Sequence, residues 1–315
     1  MEYRKLISFG KSSFVISLPK AWINKHKLSK GNLLYLQESE TDLIISPKEH
    51  EEVEEREITI NVDGKDIFFI TREINAAYIE NNRRIILKGK ELEAKSKTIL
   101  EAIRQLIALE VMEFDSKKIV TKDFLDMNKI SIIELIKKID IIIRSMVTDC
   151  RNCFDSKNSE NIELRDLDVN RLSFLVYRSI RYGQRHQSLM LKTHNLRAID
   201  LLNHYLLTFH LENIADEAKR ISRAMVKVKV KGKEKEEFLS LLIKAEDLYI
   251  HNIKAFYQRS PEEGLRRSSE KSILIGEANK YYEKIVKNEH NSYMVDRFRR
   301  LIGSIHEMGR LSYQY

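Results

Sequence analysis

The chain has 315 residues, with 55 lysines and arginines against 47 acidic residues, so its formal net charge is +8. This length allows about two or three domains with a sizeable core. Because no apolar run approaches the ~20 residues of a membrane helix and the charged N-terminus is unlike a signal peptide, we expect a cytoplasmic protein without membrane insertion.

The first 36 residues predict a small, basic β unit. Between Met1 and Tyr35 lie seven lysines and arginines and one acid. A few short strands with one helical turn cannot bury a core of their own, so the unit needs a partner. These features indicate a dimeric nucleic-acid-binding module. The predicted elements are a strand at Tyr3–Phe9, a turn at Gly10–Ser13, a strand at Phe14–Leu18, a short helix with Pro19 at its first position, and a third strand after Lys30-Gly31.

Several short motifs follow one another in this unit. They are a basic first strand, G-x-S at Gly10–Ser12, V-x-S-L-P-K-A-W at Val15–Trp22, L-S-K-G at Leu28–Gly31 and a closing strand at Leu43–Pro47. In this order, Arg4–Pro47 resembles the AbrB/SpoVT family of swapped-hairpin DNA-binding domains, whose two hairpins interleave into one dimeric barrel. On charge alone, a solvated basic surface explains the segment as well as DNA binding does. The resemblance implies DNA contacts from Arg4, Lys5, Lys11, Ser12 and Ser13.

The turn Gly10-Lys11-Ser12 also mimics the end of a phosphate-binding P-loop. That loop requires G-x-x-x-x-G-K-[ST], and Lys5 stands where the first glycine should be. We therefore reject a nucleotide-hydrolysing function. Since no nucleophile–base pair, glycine-rich loop or closed set of metal ligands occurs at a familiar spacing, we do not expect an enzyme.

An acidic stretch separates this unit from the rest of the chain. From Glu38 to Glu57 there are nine acidic residues against Lys48 and Arg56, which predicts a solvated linker. Residues 56–126 then alternate strands with helices, typical of a small βαβα unit without catalytic motifs. We predict strands at Glu57–Val62, Arg83–Leu87, Val111–Phe114 and Lys118–Thr121, and helices at Asp66–Asn81 and Glu91–Leu109.

After Met127 the apolar residues recur at helical spacing to the end of the chain. Antiparallel helices with short connections form bundles. Both cysteines lie here, in Cys150-Arg151-Asn152-Cys153, and we interpret them as reduced, half-buried thiols without a role. The six predicted helices are Asn128–Asp155, Leu164–Gln187, Thr193–Val226, Lys233–Arg259, Glu263–Asn288 and Asn291–Tyr313.

One helical segment, Phe209–Ile221, carries two carboxylates on one face, Glu212 and Asp216. Like charges at this spacing destabilise a helix slightly, and a hard cation such as Mg²⁺ or Ca²⁺, or iron or manganese with further ligands, would relieve that cost. The alternative is that both carboxylates pair with Lys219, Arg220 or Arg223 at the surface.

The same segment resembles the PhoU signature L-E-x-I-[AG]-D-x-A, whose E-x-x-x-D pairs line a metal-binding face in a tandem of three-helix repeats. Asp168-Val169-Asn170-Arg171-Leu172 resembles the acidic stretch of that family and adds Asp168 to the candidate metal ligands. The second copy of the signature departs from the pattern, because His306 and Arg310 stand opposite Glu212 and Asp216. The resemblance thus implies that one metal site survives in weakened form.

The sequence therefore predicts an α+β protein in three parts. They are a swapped-hairpin β-barrel unit at 1–48, a small α/β connector at 56–126, and a PhoU-like six-helix array at 127–315. The resemblances imply a homodimeric transcriptional regulator linked to phosphate homeostasis, with a helical domain that senses a metal or a partner. One alternative is a PhoU-type adaptor that contacts a phosphate transporter or sensor kinase. A second is an antitoxin-like DNA binder.

Overall fold

The computed structural model describes residues 3–38, 43–47, 56–154, 159–228, 230–286 and 289–313. Much of the predicted acidic linker lies outside these ranges. The chain divides into two compact units, Met1–Glu54 and Glu55–Tyr315. The α/β region and the helices that follow it therefore belong to one unit.

The first unit contains two β-hairpins and one short helix. β1 pairs with β2 and β3 pairs with β4, both antiparallel. Pro19 has an extended backbone (φ −62°, ψ 128°) and immediately precedes the helix, so our placement of it at the first helical position was wrong by one residue. The fixed φ of proline fits both the N-cap and the first helical position, but the extended ψ of Pro19 makes it the N-cap. The elements are β1 (Ile7–Phe9), β2 (Ser13–Val15), α1 (Lys20–Lys25), β3 (Tyr35–Glu38) and β4 (Leu43–Ser46).

The second unit begins with an α/β layer. Its sheet has the order β5-β6-β8-β7, in which β5 and β6 are parallel and the other pairs are antiparallel. Ile85, Leu87 and Ile119 on the sheet pack against apolar side chains of α2 and α3, including Ile74 and Ile99. The elements are β5 (Glu57–Asn61), α2 (Ile67–Ile79), β6 (Arg84–Lys88), α3 (Leu92–Arg104), β7 (Leu109–Phe114) and β8 (Lys118–Asp123).

The rest of the second unit is helical. Six helices are long, as the sequence predicts, and α6 and α9 are short additions within the described residues. The predicted helix Glu263–Asn288 was wrong as a single element, because α9 ends at Arg266 and α10 starts at Glu270 after a serine pair that favours a break. The helices are α4 (Ile132–Cys150), α5 (Ser159–Arg185), α6 (Gln187–His194), α7 (Ala198–Lys227), α8 (Lys233–Gln258), α9 (Pro261–Arg266), α10 (Glu270–Ile285) and α11 (Glu289–Arg310).

The long helices pack in two groups of three. α4, α5 and α7 contact one another, as do α8, α10 and α11, and the groups meet mainly where α7 packs against α11. One apolar core runs through both groups, with Ile139, Leu211 and Phe298 among its fully buried members. Within the described ranges, no helix combines the length and apolar character that crossing a bilayer requires.

Candidate nucleic-acid interface

The turn between β1 and β2 sets the geometry of the first hairpin. Ile7 lies opposite Val15 and Phe9 opposite Ser13, so Gly10, Lys11 and Ser12 form the connection. Gly10 has φ +74°, a left-handed conformation that glycine adopts at little cost. A P-loop leads from a strand into a helix, whereas this turn joins two antiparallel strands.

The apolar side chains of both hairpins are exposed. Phe9, Phe14 and Leu36 expose 69%, 65% and 65% of their surface. Among the described residues of this unit Ser46 is buried, but no apolar side chain is. Monomeric proteins rarely expose contiguous apolar surface of this kind. The described residues of this unit therefore form no apolar core of their own.

The predicted DNA-contacting residues lie around the turn of the first hairpin and just before its first strand, β1. Arg4 and Lys5 precede β1, because the strand starts at Ile7 rather than at the predicted Tyr3. Lys11 and Ser12 lie in the turn, and Ser13 is the first residue of β2. All five are exposed. The structure thus presents three cations and two hydroxyls to solvent, with no acidic side chain in the described segment 3–36.

A comparison with known protein families matches this part of the chain. Residues 7–52 match the family model described as "Antidote-toxin recognition MazE, bacterial antitoxin". Residues 7–52 are therefore similar to that family, and we call them the MazE/AbrB-like domain. The match starts at the first residue of β1 and includes both hairpins. No match emerges from the comparison with curated proteins or from that with solved structures.

The second set of candidates, the predicted metal ligands, belongs to the helical part of the second unit. Glu212 is half-buried and accepts a hydrogen bond from the Tyr177 hydroxyl at 2.9 Å. Burial raises the pKa of Glu212, and the Tyr177 hydrogen bond opposes this shift. Asp216 accepts a hydrogen bond from Arg220 at 3.0 Å.

The third candidate metal ligand, Asp168, contacts a residue of its own helix instead of Glu212 or Asp216. Its side chain is 58% exposed and lies 3.7 Å from Arg171. Asp166, two residues earlier on α5, is buried instead and contacts α7 through Lys219. The described residues contain no group of three or more His, Cys, Asp or Glu side chains placed to hold a metal ion. The sequence reasoning missed Asp166, although its spacing of four residues from Asn170 puts both on one helical face.

The two cysteines are free and buried at the end of α4. The thiol of Cys150 donates to the backbone oxygen of Ala218 at 3.4 Å. Burial raises the pKa of both thiols, that of Cys153 to about 11. Since the thiolate is the reactive form, these cysteines pack as apolar side chains in the helical core.

Proposed function

We infer that this protein is a dimeric DNA-binding regulator whose MazE/AbrB-like domain provides the DNA contacts. The main support is the exposed apolar surface of both hairpins, because a second copy of the same strands would cover it and complete a core. The family match supports the same assignment.

In such a dimer, Arg4, Lys5 and Lys11 of both copies would face the phosphate backbone. Neutralised phosphates release counterions, which supplies affinity without sequence information. The hydroxyls of Ser12 and Ser13 suit hydrogen bonds to phosphate oxygens and would fix the orientation of the domain on the duplex. Together these residues explain binding, while the choice of sequence depends on contacts to base edges.

The helical part would respond to a signal or a partner and shift the affinity for DNA. Such coupling requires an effector that binds two states of the protein with different affinity. The proposed link to phosphate uptake rests only on the sequence resemblance of Phe209–Ile221 and Asp168–Leu172 to the PhoU family.

The test is fluorescence anisotropy on a labelled duplex from the region upstream of the gene, across a salt series. The triple variant Arg4→Ala/Lys5→Ala/Lys11→Ala removes six cations from the dimer. We expect its slope of log affinity against log salt to be smaller by up to about 5. The matched control Lys90→Ala/Lys97→Ala/Arg104→Ala changes the charge equally at exposed positions of the second unit and should bind like the wild type.

A second pair of variants tests the dimer. Phe14→Glu places a charge on the exposed apolar face, so we expect light scattering to report a monomer and anisotropy to report weak binding. Phe68→Glu is the control, since Phe68 is 62% exposed on α2 in the other unit. A Phe14→Glu protein that remains dimeric and binds DNA normally would refute the proposed interface.

The description of the matched family favours a second candidate, an antitoxin-like DNA binder. In that case the product of an adjacent gene should arrest growth when expressed alone and lose this effect when co-expressed with this chain. If neither the wild type nor the Lys90→Ala/Lys97→Ala/Arg104→Ala control shows salt-sensitive DNA binding, an adaptor that contacts a phosphate transporter or sensor kinase becomes the better explanation.

A further inference from the structure

Lys219 joins two helices of the bundle through carboxylates. Its Nζ donates to Asp166 Oδ2 on α5 at 2.6 Å and to Asp216 Oδ1 on α7 at 2.7 Å. The Lys219 side chain is 17% exposed and that of Asp166 is 4% exposed. Because an ammonium has three donors and no preferred plane, it can bridge oxygens from different helices as a small cation does.

Further donors reach the carboxylates of this contact between α5 and α7, which we call the α5–α7 seam. Arg220 binds Asp216 Oδ2, and the Tyr177 hydroxyl binds Glu212. Asn170 Nδ2 donates to Asp166 Oδ2 at 3.3 Å. A divalent cation bound here would compete with the Lys219 ammonium for the same two carboxylates. The residues of the seam therefore do not fit a resident metal ion.

The electrostatics of Lys219 agree with this geometry. Burial lowers the pKa of Lys219, but hydrogen bonds and charge from Asp166 and Asp216 outweigh it, so the pKa lies above its usual value. For Asp166 burial is the stronger effect. It raises the pKa of this carboxyl, and the contact with Lys219 opposes the shift. Lys219 thus carries its positive charge throughout the neutral range, beside a carboxylate that is costly to bury without it.

We propose that the Lys219 ammonium is the resident cation of the seam and replaces a metal ion there. The bundle then holds α5 and α7 together without metal, and a hard divalent cation can enter only when this ammonium is removed. Without the ammonium, Asp166 would keep only the hydrogen bond from Asn170, whereas Asp216 would still pair with Arg220. Asp166 Oδ1, which has no hydrogen-bond partner among the described residues, offers a further oxygen ligand.

The experiment compares wild type with Lys219→Met, which keeps an unbranched side chain and removes the charge. Both proteins are dialysed against metal-free buffer, their metal content is measured by mass spectrometry, and their Tm is recorded with and without millimolar Mn²⁺. We expect no bound metal and no Mn²⁺ response in the wild type. Lys219→Met should lose roughly 5–10 °C in Tm, and Mn²⁺ should restore at least about half of that loss.

Arg223→Met is the matched control on the same helix. Arg223 Nε donates to Glu163 at 2.5 Å, but both side chains are substantially exposed, at 53% and 38%. Its Tm should fall by less than that of Lys219→Met and should not respond to Mn²⁺.

Two results would overturn the proposal. One is a wild-type protein that retains about one equivalent of divalent metal after dialysis or gains Tm with Mn²⁺. The other is a Lys219→Met protein with unchanged Tm and no response to Mn²⁺. If Lys219→Met does not fold, the wild-type metal content still decides. Lys219→Arg, which keeps the charge, should then fold and remain indifferent to Mn²⁺.

Discussion

Arg178 Nη2 donates a hydrogen bond to Asp123 Oδ2 at 2.6 Å, and both side chains are almost fully buried. The pair joins α5 of the bundle to the end of β8 in the α/β layer. Asn81 adds to it, since its Oδ1 accepts from Arg178 Nε at 3.2 Å and its Nδ2 donates to the Arg178 backbone oxygen. The guanidinium also lies 4.4 Å from the ring centre of Tyr78. The sheet and the helices are therefore fixed to each other by a buried polar contact.

Breaking this pair should be costly, because the remaining charge stays buried. We expect Arg178→Met to lower the free energy of unfolding by ~3–5 kcal/mol. The double variant Arg178→Met/Asp123→Asn should lose less than the sum of the single variants, since it leaves no unpaired charge that is fully buried. Urea denaturation followed by circular dichroism provides the values.

Arg181 supplies the control for that series. It lies on the same helix, is 53% exposed, and pairs with Glu80 at 3.5 Å. Exposed pairs contribute little, so Arg181→Met should change the free energy of unfolding by less than about 1 kcal/mol. Equal losses for Arg178→Met and Arg181→Met would mean that burial of the pair contributes nothing.

Two glycines of α11 should respond to alanine in opposite directions. A Cβ at Gly303 meets no atom within 4 Å, so Gly303→Ala should stabilise the protein by about 0.5–1 kcal/mol through helix propensity. A Cβ at Gly309 would lie 2.5 Å from Asn252 Nδ2, which donates to the backbone oxygen of Ile305. Gly309→Ala should therefore destabilise by about 1–3 kcal/mol. Thermal unfolding of the two variants checks both signs, and a stabilised Gly309→Ala would contradict the packing described.

His204 should make stability depend on pH. Burial lowers its pKa below the ordinary 6.5, although Asp200 opposes the shift, and nearby Arg259 adds to the lowering. Above the ordinary pKa of 6.5 the imidazole is mostly neutral in both the folded and the unfolded chain. As pH falls below it, the unfolded chain binds a proton that the folded chain does not, so stability is lost towards the folded-state pKa.

We therefore expect wild type to lose stability relative to His204→Gln between about pH 7 and pH 5, by at most about 1.4 kcal/mol per pH unit. The comparison uses urea unfolding of both proteins across this range. At about pH 8 the difference between the two proteins should no longer change with pH. Parallel curves throughout would show that His204 does not titrate differently in the folded protein.

Much of the secondary structure follows from local pattern. The strands β5, β6, β7 and β8 and the long helices lie within a few residues of the predicted positions, because apolar periodicity is a property of neighbouring residues. The largest error in a helix prediction is the single helix Glu263–Asn288, because local signals for a helix start and a break were overlooked. Ser260 and Pro261 begin α9, and Ser268 and Ser269 separate it from α10.

The candidate metal site shows where such reasoning ends. Asp166 and Asp168 differ by two residues, which on a helix is more than half a turn, so one is buried and the other exposed. The sequence offers both as acidic neighbours of Asn170. Which of them faces α7 depends on the rotation of α5 in the bundle, and this is fixed by all the apolar contacts of the helix together.

The sequence by itself indicated the basic hairpin unit and the order of the strands and long helices, since charge, turns and periodicity act over a few residues. Only the tertiary structure decided that Lys219 meets Asp166 and that Arg178 meets Asp123. These partners lie 53 and 55 residues apart, and the sequence contains several acidic residues that could pair with each basic side chain. Long-range pairing is selected by the packing of whole helices, because burial makes the contact strong and burial is not a local property.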